Sequence, residues 1–110
     1  MIRKEIVLPA GRDEVWAALT DPRQLEEWFA NDVELDLRPG GGASFRWSNG
    51  EERRATVTEV ENGERLAFEW EDEGEVAFTL EDDDAGTLLT VEETAPAWST
   101  ALDLQALALV

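Results

Sequence analysis

The hydrophobic period of this chain changes near residue 32, and that change constrains the fold more than any other feature. Before it, apolar residues recur at helical spacing. Val15, Trp16 and Leu19 form one edge, and Leu25, Trp28 and Phe29 form another. After it, they recur at every second position. Val33, Leu35 and Leu37 alternate with Asp32, Glu34, Asp36 and Arg38. Ala43, Phe45 and Trp47 alternate with Ser44, Arg46 and Ser48. Such alternation describes strands with one buried face and one wet face.

The strand runs are separated by turn chemistry. Arg38-Pro39-Gly40-Gly41-Gly42 breaks the first pair. Asn49-Gly50 and Asn62-Gly63 read as two-residue hairpin turns. Between them lies a strand from Arg53 to Val60. Leu66, Phe68 and Trp70 then put three large side chains on one face, and Asp72-Glu73-Gly74 turns the chain again. Val76, Phe78 and Leu80 come next, then an acidic loop over Asp82-Asp83-Asp84-Ala85-Gly86. A last strand follows over Thr87 to Glu93, with Leu89 and Val91 inward.

The two ends complete the order. Ile2 to Leu8 is a β run stopped by Pro9-Ala10-Gly11. A helix begins near Arg12 or Asp13, its acidic first turn favoured by the helix dipole. Thr20-Asp21-Pro22 ends it and caps a second helix with Pro22 in the first position. Residues 97–110 hold many Ala and Leu and few β-branched residues, so a final helix is expected there. Trp98, Ala101, Leu102, Gln105 and Leu109 would share one of its faces. The fold class is α+β: a strand, two short helices, about six antiparallel strands and a closing helix. At 110 residues this is one domain.

Composition removes several function classes. The net charge of −17 argues against nucleic acid and against anionic membrane surfaces, which both need a basic patch. The acid excess is spread along the chain and serves solubility. Lys4 is the sole lysine, a balance that fits a high-GC genome or a salt-adapted cytoplasm. No run reaches membrane-spanning length and Met1-Ile2-Arg3-Lys4-Glu5 lacks an apolar signal core, so a cytoplasmic location without membrane insertion is expected.

Chemistry is limited by what is missing. The chain has no histidine, tyrosine or cysteine. The usual general base near neutral pH, the phenol and the thiolate are therefore excluded. The serines Ser44, Ser48 and Ser99 have no such base to activate them. The glycine run Gly40-Gly41-Gly42 joins two strands, whereas a phosphate cradle opens a helix. Asp82-Asp83-Asp84 lacks the spaced ligands of a calcium loop and reads as a solvated turn. Glu26, Glu27, Glu69 and Glu71 lie off the apolar faces and read as solvated. Among Arg46, Arg53, Arg54 and Arg65, an inward-facing arginine would be an anchor for a ligand carboxylate or phosphate. Alternation turns Arg46 outward, toward a cross-strand ion pair.

The ordered set Val15-Trp16-Ala17-Ala18-Leu19-Thr20-Asp21-Pro22, Leu25, Trp28-Phe29 and Arg38-Pro39-Gly40-Gly41 resembles the START-like SRPBCC superfamily. Within it, the chain looks like the branch of the activator of heat-shock protein 90 ATPase homologues. Thr58-Glu59-Val60, Arg65 to Trp70 and Gly86 to Val91 continue the likeness from about Ile2 to about Leu107. The resemblance implies a helix-grip fold, in which a curved antiparallel sheet of six to seven strands wraps a C-terminal helix. It also implies a hydrophobic cavity between sheet and helix. The short final link and brief final helix point to a small or partly open cavity, which argues against a bulky ligand such as a sterol.

The cavity lining expected on that basis is Trp28, Phe29, Phe45, Trp47, Phe68, Trp70, Phe78, Trp98 and Leu102, with Trp28, Phe29 and Trp98 at the rim. The same rings could instead fill the core of so small a domain. The leading functional expectation is a non-catalytic protein that binds an apolar or aromatic small molecule or lipid, with no cofactor and no metal. A protein-interaction module is the alternative, acting beside a chaperone or an ArsR-type regulator. A cyclase- or dehydratase-type enzyme using a buried Asp or Glu comes third. A homodimer is expected if the last helix leaves apolar surface exposed.

Overall fold

The computed structural model describes residues 2–71 and 74–94, with the side chain of Trp28 not among what it describes. The order of elements follows the sequence pattern. Strand β1 (Ile2–Leu8) is followed by helices α1 (Arg12–Thr20) and α2 (Pro22–Trp28). Six strands then succeed one another: β2 (Asp32–Leu35), β3 (Gly42–Arg46), β4 (Glu52–Glu61), β5 (Arg65–Trp70), β6 (Glu75–Asp83) and β7 (Gly86–Glu93).

All seven strands form one antiparallel sheet in the order β1-β7-β6-β5-β4-β3-β2. Sequential strands pair as hairpins, and the first strand closes onto the last. The curved sheet with two short helices after its first strand is that of a helix-grip fold. The expected C-terminal helix, with Trp98 and Leu102, lies outside the described residues.

The helices start and stop where local chemistry directs. The Asp21 side chain accepts a hydrogen bond from the Arg23 amide at 3.0 Å, and Pro22 occupies the first turn of α2. Both helices bury their apolar edges. Val15, Leu19 and Leu25 are at most 2% exposed. Helix α1 packs on β6 and β7, and α2 packs on α1 and β2.

The inner face of the sheet carries the core. Phe45, Phe68, Phe78, Leu66, Leu89 and Val91 are fully buried there. Strand β4 keeps both Val57 and Val60 on this face because of a bulge. Its register to β5 slips between Val57 and Glu59, so Val57 meets Phe68 and Val60 meets Leu66. A regular strand would have sent one of these two valines to the outer face.

Four local expectations are corrected. The first concerns Leu37, which does not continue the inward alternation. Strand β2 stops at Leu35, and Leu37 is 37% exposed. The Arg38 amide bonds the Asp36 carbonyl and the Gly41 amide bonds the Arg38 carbonyl, which folds the chain back before a further inward position.

The second is Asn49-Gly50, where the loop holds three residues, Ser48 to Gly50, between the bonded pair Trp47 and Glu51. Only Gly50 takes a left-handed φ, of 91°, and no non-glycine residue does among those described. A two-residue turn of the mirror-image type needs both central residues left-handed. The third is Asn62-Gly63, which likewise sits in a three-residue loop, closed by the Glu64 amide on the Glu61 carbonyl.

The fourth is the acidic loop, which is shorter than expected. Asp82 and Asp83 belong to β6, and Asp83 pairs with Gly86, leaving a two-residue turn of Asp84 and Ala85. The Asp83 side chain accepts from the Ala85 amide at 2.9 Å and supports that turn.

Candidate functional site

The aromatic side chains of β3, β5 and β6 form one connected surface on the inner face. Phe45 meets Phe68 at 6.2 Å between ring centroids, and Phe68 meets Phe78 at 6.3 Å. Phe45 also meets Trp70 at 5.7 Å and Phe29, at the end of α2, at 5.4 Å. All of these contacts are edge-to-face, the arrangement that brings the positive edge of one ring to the negative face of the next.

Alternation is what assembles this surface. Phe45 lies at the inward position of β3, Phe68 and Trp70 at those of β5, and Phe78 at that of β6. Register then sets Leu66 opposite Phe78, and both Val57 and Val76 opposite Phe68. The rings therefore interlock with branched aliphatic side chains.

Seven of the nine expected lining residues have described positions. Phe45, Phe68 and Phe78 are fully buried, and Trp70 is nearly so. Phe29 and Trp47 are partly buried and pack against the same core. Trp47 is tied down by its indole N–H, which donates to the Phe29 carbonyl at 2.7 Å, and by edge contact with the Phe29 ring at 5.4 Å. This bond joins the end of α2 to the end of β3, so the rim position is fixed by a polar contact as well as by packing. Trp28 lies in the last position of α2. Trp98 and Leu102 fall outside the described residues.

Two inward charges were not assigned from the sequence. Arg53 lies directly opposite Phe45 across β3 and β4, so it shares the inner face. Its guanidinium carbon stands 3.9 Å from the centroid of the Trp70 ring. Glu93 lies at the end of β7, opposite Ile2 and Val76, and is fully buried. Continuing the alternation of Leu89 and Val91 by one more step would have placed it inward. Lys4, opposite Val91 on β1, shares that flank.

The other strand arginines turn outward. Arg46 pairs with Asp32 at 2.7 Å, Arg54 with Glu52 at 2.7 Å and Arg65 with Glu59 at 2.9 Å. The hydrogen bond from Arg54 to Glu52, with the nearby charges of Glu52 and Glu71, raises the guanidinium pKa above its ordinary value.

The acidic positions behave as solvated or structural groups. Glu27, Glu69 and Glu71 are exposed. Glu26 is exposed too, and accepts from the Val33 amide at 3.0 Å, joining α2 to the start of β2. Asp82 holds Arg12 of α1 at 2.9 Å. Among the described residues no group of three or more carboxylates is arranged to hold a metal ion.

An open groove of about 520 Å³ lies on the outer face across β2, β3 and β4. Glu34, Ser44, Arg54, Thr56 and Glu71 line it, so its chemistry is polar and largely acidic. An apolar guest gains little there, because burial against charged side chains removes water from both.

Known proteins give the context for this geometry. A sequence profile of the family described as Activator of Hsp90 ATPase homolog 1-like protein matches residues 9–107. Among solved structures, the chain is similar to CalU16 from Micromonospora echinospora, at 29% identity. The match covers 97% of this chain and 73% of that one, with a TM-score of 0.78. It is similar to DynU16, a protein of the dynemicin biosynthetic locus, at 31% identity over 98% of this chain and 42% of that one, with a TM-score of 0.78. The AHSA1-like protein from Aeromonas hydrophila is 22% identical over 96% of this chain and 84% of that one, with a TM-score of 0.79. That last likeness speaks for the fold. No curated protein matches the chain. Among the described residues no helix is long and apolar enough to cross a membrane.

Proposed function

The chain belongs to the activator of Hsp90 ATPase homolog 1-like family, and we propose that it is a small non-catalytic protein that holds an apolar or aromatic small molecule or lipid against the inner face of its sheet. The observation that carries this reading is the connected ring surface from Phe29 through Phe45 and Phe68 to Phe78, with Trp70 and Trp47 beside it. Phe29 and Trp47, the partly buried rings at its edge, are where a guest ring would make contact, and burial of that guest supplies about 25 cal/mol for each Å² removed from water. The absence of histidine, tyrosine and cysteine supports binding without turnover. DynU16, the relative from a biosynthetic locus, supports a small molecule as the guest.

Titration with N-phenyl-1-naphthylamine, a neutral probe that fluoresces in apolar surroundings, tests the reading. Saturable enhancement at one probe per chain is the expected result. Enhancement that never saturates, or none at all, would refute it.

A second reading is a protein-interaction module, acting with a chaperone or a transcriptional regulator. It draws support from the full burial of Phe45, Phe68 and Phe78, which make contact with one another as a filled core does. A chain silent toward the probe that still captures a purified partner of either kind would favour it.

A further inference from the structure

We infer that Asn62 is a site of self-modification. In the folded chain it converts to aspartate and isoaspartate through a cyclic imide with Gly63, while the other Asn-Gly pair, Asn49-Gly50, is protected by its hydrogen bonds. This stands independently of the binding reading above.

The chemistry needs only the chain and water. The Gly63 backbone nitrogen gives up its proton to solvent and attacks Asn62 Cγ. The new C–N bond closes a succinimide ring, and the side-chain nitrogen leaves as ammonia. Water then adds to one ring carbonyl and breaks its bond to the ring nitrogen. Opening at the side-chain carbonyl gives aspartate. Opening at the backbone carbonyl gives isoaspartate, which carries an extra carbon in the main chain. Nothing is oxidised or reduced. Glycine after the asparagine favours the attack, because no Cβ hinders the approach of its nitrogen.

The two Asn-Gly pairs share much of their setting. Each lies in a three-residue hairpin loop, and each asparagine is exposed. Glutamates flank both, Glu51 and Glu52 in one case and Glu61 and Glu64 in the other. The local charge therefore does little to distinguish them.

Hydrogen bonding does distinguish them. In the first loop both reacting groups are engaged. The Gly50 amide donates to the Trp47 carbonyl at 3.0 Å, and Asn49 Oδ1 accepts from the Glu51 amide at 3.0 Å. The Glu51 bond polarises the Asn49 carboxamide, yet it also fixes it on the amide two residues ahead, as an Asx turn. The nitrogen that must attack is meanwhile turned toward Trp47. Both contacts must open before Gly50 N reaches Asn49 Cγ.

In the second loop neither group is held. The Glu64 amide, which an Asx turn from Asn62 would use, donates instead to the Glu61 carbonyl at 2.9 Å. Among the described residues, the Asn62 carboxamide and the Gly63 amide make no hydrogen bond. There is also room for the ring to form, since a Cβ added at Gly63 would meet nothing within 4 Å. Conversion places a new carboxylate between Glu61 and Glu64, on a chain already at −17.

The test is to age the full chain at mildly alkaline pH, folded and in urea, and to digest samples with trypsin over time. Arg46, Arg53, Arg54 and Arg65 flank the two sites, so each asparagine falls in its own peptide. Mass spectrometry reads the gain in mass from amide to acid, and enzymatic methylation of isoaspartate identifies the imide route. In the folded chain the Asn62 peptide should convert about tenfold faster than the Asn49 peptide, the factor expected when hydrogen bonds must first be broken at the slower site. In urea the two rates should converge, because both pairs are then free.

Equal rates in the folded chain, or a faster Asn49, would overturn the inference. So would a rate ratio that is unchanged in urea, since sequence context and not the folded loops would then set it. Conversion of Asn62 without isoaspartate would overturn the imide route.

Discussion

Phe68 is the ring on which the inner surface turns, and its removal gives the sharpest test of the packing. It is fully buried, opposite Val57 on one side and Val76 on the other, and in edge contact with both Phe45 and Phe78. Replacing a buried phenylalanine by alanine costs about 3–5 kcal/mol, from lost transfer energy and the space left behind. Its two aromatic contacts, at about 0.5–1.5 kcal/mol each, put Phe68→Ala in the upper part of that range. A domain of this size has a total stability of about 5–15 kcal/mol, so the loss is a large share of it. In urea, with a slope of about 2 kcal/mol per M, the midpoint should fall by about 2 M without a change of slope. Phe68→Leu keeps most of the volume and should fall by less than half as much. Benzene should recover part of the alanine variant's stability, because a dry apolar cavity of this kind accepts it. A midpoint shift under about 0.5 M for Phe68→Ala would mean a loss of only about 1 kcal/mol and would refute the packing described.

Three further outcomes follow from particular contacts. Gly86→Ala should destabilise by about 2 kcal/mol or more, since the residue has φ of 142° and an added Cβ would meet the Leu8 carbonyl and lie 2.9 Å from the Ala10 amide; thermal unfolding would read this as a clear drop in Tm. Asp21→Ala should cost about 1 kcal/mol by removing the cap on α2, measured by urea unfolding. Raising NaCl from low salt to 0.5 M (about a fourfold to fivefold shorter screening length than at 0.02 M) should raise the Tm, because a net charge of −17 opposes the compact state; an unchanged Tm would mean the acidic groups repel one another too weakly to matter.

The strands were legible because a buried sheet face imposes a period of two, and Phe45, Phe68, Phe78 and Leu89 keep it. The helix boundary at Asp21-Pro22 was legible because a cap and a proline leave little choice. The turns were harder. Asn-Gly signals a mirror-image turn, yet Gly50 alone supplies the left-handed residue and the loop closes one residue longer. Asp82 and Asp83 read as loop because aspartate disfavours strands, yet both are exposed at the end of a hairpin, and Asp82 engages Arg12 of α1.

For the candidate site, the rings were legible and the charges were not. Alternation within β3 showed that Arg46 points outward. The direction of Arg53 follows from pairing with Phe45, a register that depends on where the preceding loop closes. Glu93 continues the alternation of Leu89 and Val91 by one step, yet a carboxylate at the end of a strand reads as a solvated group. The cation–π contact of Arg53 with Trp70 joins residues from two strands and has no signature in either alone.

The central claim is that the guest lies on the inner face, and mapping amide chemical shifts by NMR during titration with N-phenyl-1-naphthylamine tests it most directly. The account predicts saturable shifts concentrated on the end of α2 and on β3 and β5, around Phe29, Phe45, Trp47 and Trp70. Shifts confined to the outer groove, at Glu34, Ser44 and Thr56, or no shifts at all, would contradict it.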